Sequence, residues 1–127
     1  MCIRDSTGNA TNFGNTTIAR THGTGTNSDP GSGQNRGIFC GGYSDHGGQA
    51  DYINCASTGN ATDWGGLSHN YSYRFAVGTN GARGYCAGGT GGGSNISYMN
   101  LDSTGSASDG GDLGTSTDTM GCSGTAP

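Results

Sequence analysis

The sequence predicts an all-β fold assembled from tandem repeats. Three observations carry that expectation: a recurring Ser-Thr-Gly tripeptide, a recurring diglycine block, and short apolar runs that end in turn residues. The tripeptide stands at Ser6, Ser57 and Ser103, at intervals of 51 and 46 residues. Each occurrence opens a longer match that aligns without a gap, STGNATNFG over 6–14, STGNATDWG over 57–65 and STGSASDGG over 103–111. Upstream, RGIFCGG (Arg36 to Gly42) matches RGYCAGG (Arg83 to Gly89) at an offset of 47. Between block and tripeptide, Tyr52-Ile53-Asn54-Cys55-Ala56 and Tyr98-Met99-Asn100-Leu101-Asp102 keep register with the tripeptide that follows. Self-similarity at a fixed period marks an array in which each copy is one supersecondary unit.

Composition narrows what such a unit can be. Only 29% of the 127 residues are hydrophobic, and the many glycines add no side chain to a core, so any core is thin. The chain holds 28 Gly and only 2 Pro, which excludes a Pro-driven linker and leaves a flexible low-complexity chain or a turn-dense β fold. The runs Gly37-Ile38-Phe39-Cys40 and Tyr73-Arg74-Phe75-Ala76-Val77 decide for strands, because each is followed by turn residues.

The elements follow in order. Ile38-Phe39-Cys40 before Gly41-Gly42 reads as the end of a second strand, the glycines permitting a tight turn beside crowded backbone. Tyr52 to Cys55 is a third strand. The turn STGNATD leads to a fourth, carrying Trp64, and Tyr73 to Gly78 supplies the first strand of the next copy. Asn80-Gly81, between Val77 and Tyr85, is a hairpin signal because both residues tolerate positive φ. Gly88 to Ser94 is Gly-rich but lacks the Gly-Lys-Ser/Thr ending of a phosphate-cradling loop, so it is expected to be a plain connection between strands.

In these residues the chain resembles the kelch family: the diglycine, then a Tyr, then a Trp, then an Arg (Arg74) before an apolar strand. It departs from the usual pattern in the long spacing from Tyr52 to Trp64, and in Phe13 and Gly110 standing where Trp64 does. The match is closer to divergent, Gly-rich kelch-like arrays of marine phage and environmental bacterial proteins. The resemblance covers about residues 6–126 and implies four-stranded antiparallel blades forming part of a β-propeller. Its structural repeat positions would be Arg36, Gly41, Gly42, Tyr52, Trp64, Arg83, Gly88, Gly89 and Tyr98, with Trp64 and Tyr73 buried between blades. Repeat one is read over 6–56, repeat two over 57–102 and a truncated third over 103–127. Residues 1–5, Met1 to Asp5, resemble a translated sequencing adapter and are set aside as an artefact. A propeller of about 4–8 blades would then need further repeats of the same protein, or a homo-oligomer, to close.

Charge and motifs exclude several functions. Five basic against nine acidic side chains give a formal net charge of −4, which offers no basic surface to nucleic-acid phosphates. No apolar stretch approaches the ~18 residues of a membrane helix, and no basic-then-apolar leader is present. Neither nucleic acid nor membrane is expected as a partner. Cys40, Cys55, Cys86 and Cys122 form no CxxC pair, so no structural metal is expected. Cys40 lies four residues after Arg36 and Cys86 three after Arg83, which places them on opposite faces of matching strands. They read as small apolar strand residues, with a disulfide between blades as the alternative in an exported chain. Cys40, Tyr43 and His46 carry the residue types of a copper-radical oxidase site, but on one loop rather than several blades. His22, His46 and His69 stand alone, and Asp45-His46 has no nucleophile partner. Asp109 and Asp112 read as a solvated turn, and five Asn-x-Ser/Thr sites arise easily in so Thr- and Asn-rich a chain. No catalytic, cofactor-binding or metal residue is assigned.

Candidate surface-binding residues are Tyr43, Asp45, His46 and Tyr71: aromatic faces beside Asn and Asp suit a carbohydrate or protein surface. The expected function is a non-enzymatic structural or binding module of a phage tail or other virion-surface protein, recognising a host-surface glycan or protein. The expected location is the virion or the extracellular space. The alternatives are a scaffold fragment of a propeller enzyme and a kelch-type protein-interaction adaptor.

Overall fold

Each predicted apolar run is found in or beside a strand of the computed structural model, which describes residues 11–27, 35–43, 47–73 and 75–117. Strands β1 (Thr24–Asn27), β2 (Arg36–Cys40), β3 (Gln49–Asn54) and β4 (Thr62–Gly66) form one antiparallel sheet in chain order. Strands β5 (Ala76–Thr79), β6 (Arg83–Ala87), β7 (Asn95–Asn100) and β8 (Ser108–Asp112) form a second sheet of the same order. The fold is all-β. Each sheet straddles the repeat boundaries drawn at the tripeptides, taking its fourth strand from the copy that begins after its third.

Two local expectations are corrected. Tyr73 does not join the first strand of the second sheet. Its φ of +46° takes the chain out of extended geometry, and β5 begins at Ala76. The loop after Gly88 contains a single helical turn, α1 (Gly89–Gly92), which the lack of side chains at its glycines leaves room for. Asn80-Gly81 does connect β5 to β6, with Asn80 Oδ1 accepting from the Arg83 amide at 2.7 Å.

The repeat extends to individual backbone bonds. The Gly41 amide donates to Gln49 O at 3.0 Å and the Gly88 amide to Asn95 O at 3.2 Å. The Leu67 amide donates to Gly48 O at 2.8 Å and the Leu113 amide to Ser94 O at 2.6 Å. Cys55 reaches back to Asn35 O at 2.7 Å, as Leu101 does to Ala82 O at 2.9 Å. Both sheets bulge at the same point, between Ala50 and Asp51 and between Ile96 and Ser97. A bulge bends the strand and places one residue out of alternation. The extra residues are Trp64 in β4 and Gly110 in β8, and the repeat counterparts Asp51 and Ser97 lie across from them on β3 and β7.

Strand alternation then defines the packing. The side of the first sheet bearing Ile38, Cys40 and Ala50 meets the side of the second bearing Cys86 and Met99, and these residues share one core with Trp64, Tyr71, Phe75 and Leu101. Cys40 and Cys86 do stand on opposite faces of equivalent sheets. Because the sheets stack in that same sense, the two sulfurs lie 3.6 Å apart. Burial of side chains such as Ile38 and Met99, each 1% exposed, stabilises by roughly 1.5–3 kcal/mol apiece. Arg36 ties the sheets at their far end: its Nη1 donates to Leu101 O at 3.0 Å. Gly65, with φ +132°, has no room for a Cβ against Gly105 O, and Gly14 stands in the same way against Gly59 O. The β4 backbone, and its counterpart at residues 13–15, must therefore approach the following turn closely.

Candidate binding surface

Three segments are drawn together where the chain turns at the diglycine end of the sheets. The Tyr43 amide donates to Thr21 O at 2.9 Å, and the Gly42 amide to Tyr71 O at 3.3 Å. Gly41, at φ +66° and packed on the Phe75 ring, makes the sharp exit from β2 that sends Tyr43 outward. These bonds set His22, Tyr43 and Tyr73 side by side. The Tyr43 and Tyr73 ring centroids are 4.9 Å apart, as are those of His22 and Tyr73, while His22 meets Tyr43 edge-on at 6.4 Å. Tyr43 is 51% exposed, so the cluster presents an aromatic face to solvent.

His22 and Tyr73 share a second property. Their φ values are +60° and +46°, a region that bulky residues rarely occupy. They are also repeat counterparts, 51 residues apart like the first two tripeptides. The same left-handed turn thus recurs before β1 and before β5, and each time it aims a ring at Tyr43. Burial, and then the neighbouring Tyr43 phenol, push the Tyr73 phenol above its ordinary value. The Tyr73 hydroxyl, like any phenol at neutral pH, can donate.

The sequence-predicted binding residues divide. Tyr43 is exposed as expected. Tyr71 is not: it is fully buried, and its hydroxyl bonds to Ser97 Oγ at 2.7 Å. The reason is strand alternation in β7, which sets Ser97 opposite Cys86 on the side turned to the first sheet, where its hydroxyl gives the phenol an internal partner. Asp45 and His46 lie outside the described residues. Among the structural repeat positions, Trp64 is buried at 3% exposure, whereas Tyr73, expected in the core, is only half-buried. Arg36 stacks over Tyr52 at 4.6 Å and Arg83 over Tyr98 at 5.2 Å, a cation–π pair repeated in both sheets. Gly41, Gly42, Gly88 and Gly89 are all buried.

Arg36 and Tyr52 also line a polar groove of about 460 Å³ with Asn35, Asn54, Asn60 and Thr62 at the opposite end of the first sheet. Its Arg–Tyr stack recurs on the second sheet, so that part of the groove is framework common to both copies.

No family model matches the chain, nor does any curated protein or solved structure.

A buried polar cluster was not legible in advance. Ser68 Oγ contacts Ser97 Oγ and lies 3.0 Å from His69 Nδ1, while Tyr71 completes the group from the other side. A serine beside a histidine invites comparison with nucleophilic catalysis. The first sheet argues against that reading. At the counterpart positions, Thr17 Oγ1 donates to Asp51 Oδ1 at 2.6 Å and Arg20 Nη2 pairs with the same oxygen at 3.2 Å. Arg20 Nη1 continues to Gly41 O at 2.7 Å and Gln49 O at 3.0 Å. One geometry thus holds an ion pair in one sheet and hydroxyls in the other, as expected of a bond that fastens the incoming loop to the third strand of its sheet. Burial raises the Tyr71 pKa above its ordinary value, so the phenol remains a neutral hydrogen-bonding group. The alignment of Asp51 with Ser97, each just before a repeated Tyr, was the available signal. Among the described residues, no group of three or more His, Cys, Asp or Glu side chains is placed to hold a metal ion.

Proposed function

We propose that the chain is a non-enzymatic recognition and structural module, a kelch-like array belonging to a phage tail or other virion-surface protein, that binds a host-surface glycan. The observation that carries the reading is the exposed His22–Tyr43–Tyr73 cluster, held by backbone bonds from three separate segments. Tilted aromatic rings with free edges offer a sugar an apolar face to stack on and hydroxyl and imidazole groups at the rim. Rigid aromatic contacts also lose little conformational entropy on binding. The low charge of the chain suits a neutral polyhydroxylated ligand better than a phosphate polymer.

The test is a screen of the chain against an array of bacterial surface polysaccharides, followed by titration of any positive with tyrosine fluorescence. Specific glycan binding, weakened about tenfold in Tyr43→Ala, is expected, which corresponds to roughly 1.4 kcal/mol. Absence of glycan binding together with capture of a defined host protein by the same cluster would move the reading to the protein-interaction adaptor.

A further inference from the structure

We propose that Cys40 and Cys86 form a disulfide that clamps the first sheet to the second when the chain folds in the presence of a small-molecule disulfide. Both thiols are fully buried, and their sulfurs face each other across the sheet interface at 3.6 Å. They come from strands of different sheets, β2 and β6, so a bond between them would link the two sheets covalently. Neither is a repeat counterpart of the other: Cys40 corresponds to Ala87, and Cys86 to Phe39, through the matched registers of the two sheets. The pair is therefore specific to this interface. The third described cysteine, Cys55, is exposed on the turn after β3, away from both.

The chemistry balances with oxidised glutathione as the oxidant. The thiolate of one cysteine attacks a glutathione sulfur, forming a mixed disulfide and releasing one glutathione thiolate. The other cysteine then attacks the protein sulfur of that mixed disulfide, forming the Cys40–Cys86 bond and releasing the second glutathione. Two protein thiols are oxidised, one glutathione disulfide is reduced, and the two protein protons end on the two glutathione thiols.

The same geometry sets the timing. Contact with the Cys40 sulfur and burial both push the Cys86 thiol well above its ordinary value, and the folded sheets shield both sulfurs from a bulky oxidant. Oxidation of the folded chain at neutral pH is accordingly slow, and the bond forms during folding, before the interface closes.

The experiment is refolding of the full chain from denaturant in a glutathione redox buffer, with peptide mass mapping, beside the same treatment of chain already folded. A Cys40–Cys86 link in the refolded sample is expected, formed at least tenfold more slowly in the prefolded one. The linked form should melt about 10 °C higher than the reduced form, in the range expected for a cross-link closing a loop of this length. A Cys55→Ser variant, altered only at an exposed position, should give the same link. Three results would overturn the proposal: a refolded chain with both thiols free, a dominant link through Cys55 or Cys122, or a linked form that melts no higher than the reduced one.

Discussion

The two sheets share one backbone plan, yet equivalent residues experience opposite surroundings. Phe39 of β2 is 36% exposed, while its counterpart Cys86 is fully buried. Ile53 is partly exposed, while its counterpart Met99 is 1% exposed. On the other face the order reverses: Ile38 and Cys40 are buried, while Tyr85 and Ala87 are only partly covered. A residue's burial in this fold is set by the sheet standing against it, and only secondarily by its place in the strand. The residues across from the bulge teach the same lesson in polar form. Asp51 faces Arg20 in one sheet, and Ser97 faces Tyr71 in the other. Thr117, the counterpart of Arg20 and Tyr71 in the next copy, keeps its Oγ1 out of solvent with no hydrogen-bond partner among the described residues.

The largest expected difference between the sheets lies at Asp51 and Ser97. Asp51→Ala leaves the Arg20 guanidinium buried without its counterion and is expected to cost about 3–5 kcal/mol. Ser97→Ala removes a neutral hydroxyl and is expected to cost only about 1–2 kcal/mol. Denaturant titration of both variants measures the gap, and equal losses would remove the distinction between an ionic and a neutral fastening. The apolar pair comes next. Met99→Ala should cost about 2–5 kcal/mol as a core truncation, and Ile53→Ala under about 1 kcal/mol on its open face. A larger loss at Ile53 would mean that the outer face of the first sheet is covered in solution.

A pH series sharpens the picture of the second sheet. Tyr71 and Cys86 are both held above their ordinary values of 10.0 and 9.0. The unfolded chain therefore loses these protons first as the pH rises, and the unfolded state gains. Their contribution is fully present below pH 9 and is lost as the pH climbs through the folded-state values. Denaturant midpoints should fall progressively from about pH 9 upward, and the double variant Tyr71→Phe, Cys86→Ala should flatten that decline. The smallest effect is expected at the binding surface: Tyr43→Ala should change stability by less than about 0.5 kcal/mol, so any loss of glycan binding there can be read as lost contact.

The fold was legible to the extent that repetition and turn chemistry decide it. RGIFCGG and RGYCAGG mark β2 and β6, and Asn80-Gly81 marks the β5–β6 hairpin, because local backbone preference suffices for both. Trp64 was expected in the core only because kelch-like repeats bury a residue at that place, and it is buried. What escaped was whatever depends on how the sheets meet. Tyr71 reads as an exposed loop aromatic until Ser97, on the side of β7 turned to the first sheet, supplies an internal partner. Tyr73 reads as strand until its left-handed turn is seen. The opposite faces of Cys40 and Cys86 could be inferred from one residue of offset, but that these faces meet follows only from the stacking sense of the two sheets. The Arg20–Asp51 pair spans 31 residues of sequence, and no local pattern announces it.

The shared core of Ile38, Cys40, Cys86 and Met99 predicts that the two sheets open as a single cooperative unit. Residue-resolved hydrogen exchange tests it most directly. The matched amides of Cys55 and Leu101, and of Leu67 and Leu113, should exchange through one common opening, with the protection of the strand amides in both sheets converging on the same global free energy. Protection confined to one sheet, with the other exchanging at the rate of an unstructured chain, would contradict it.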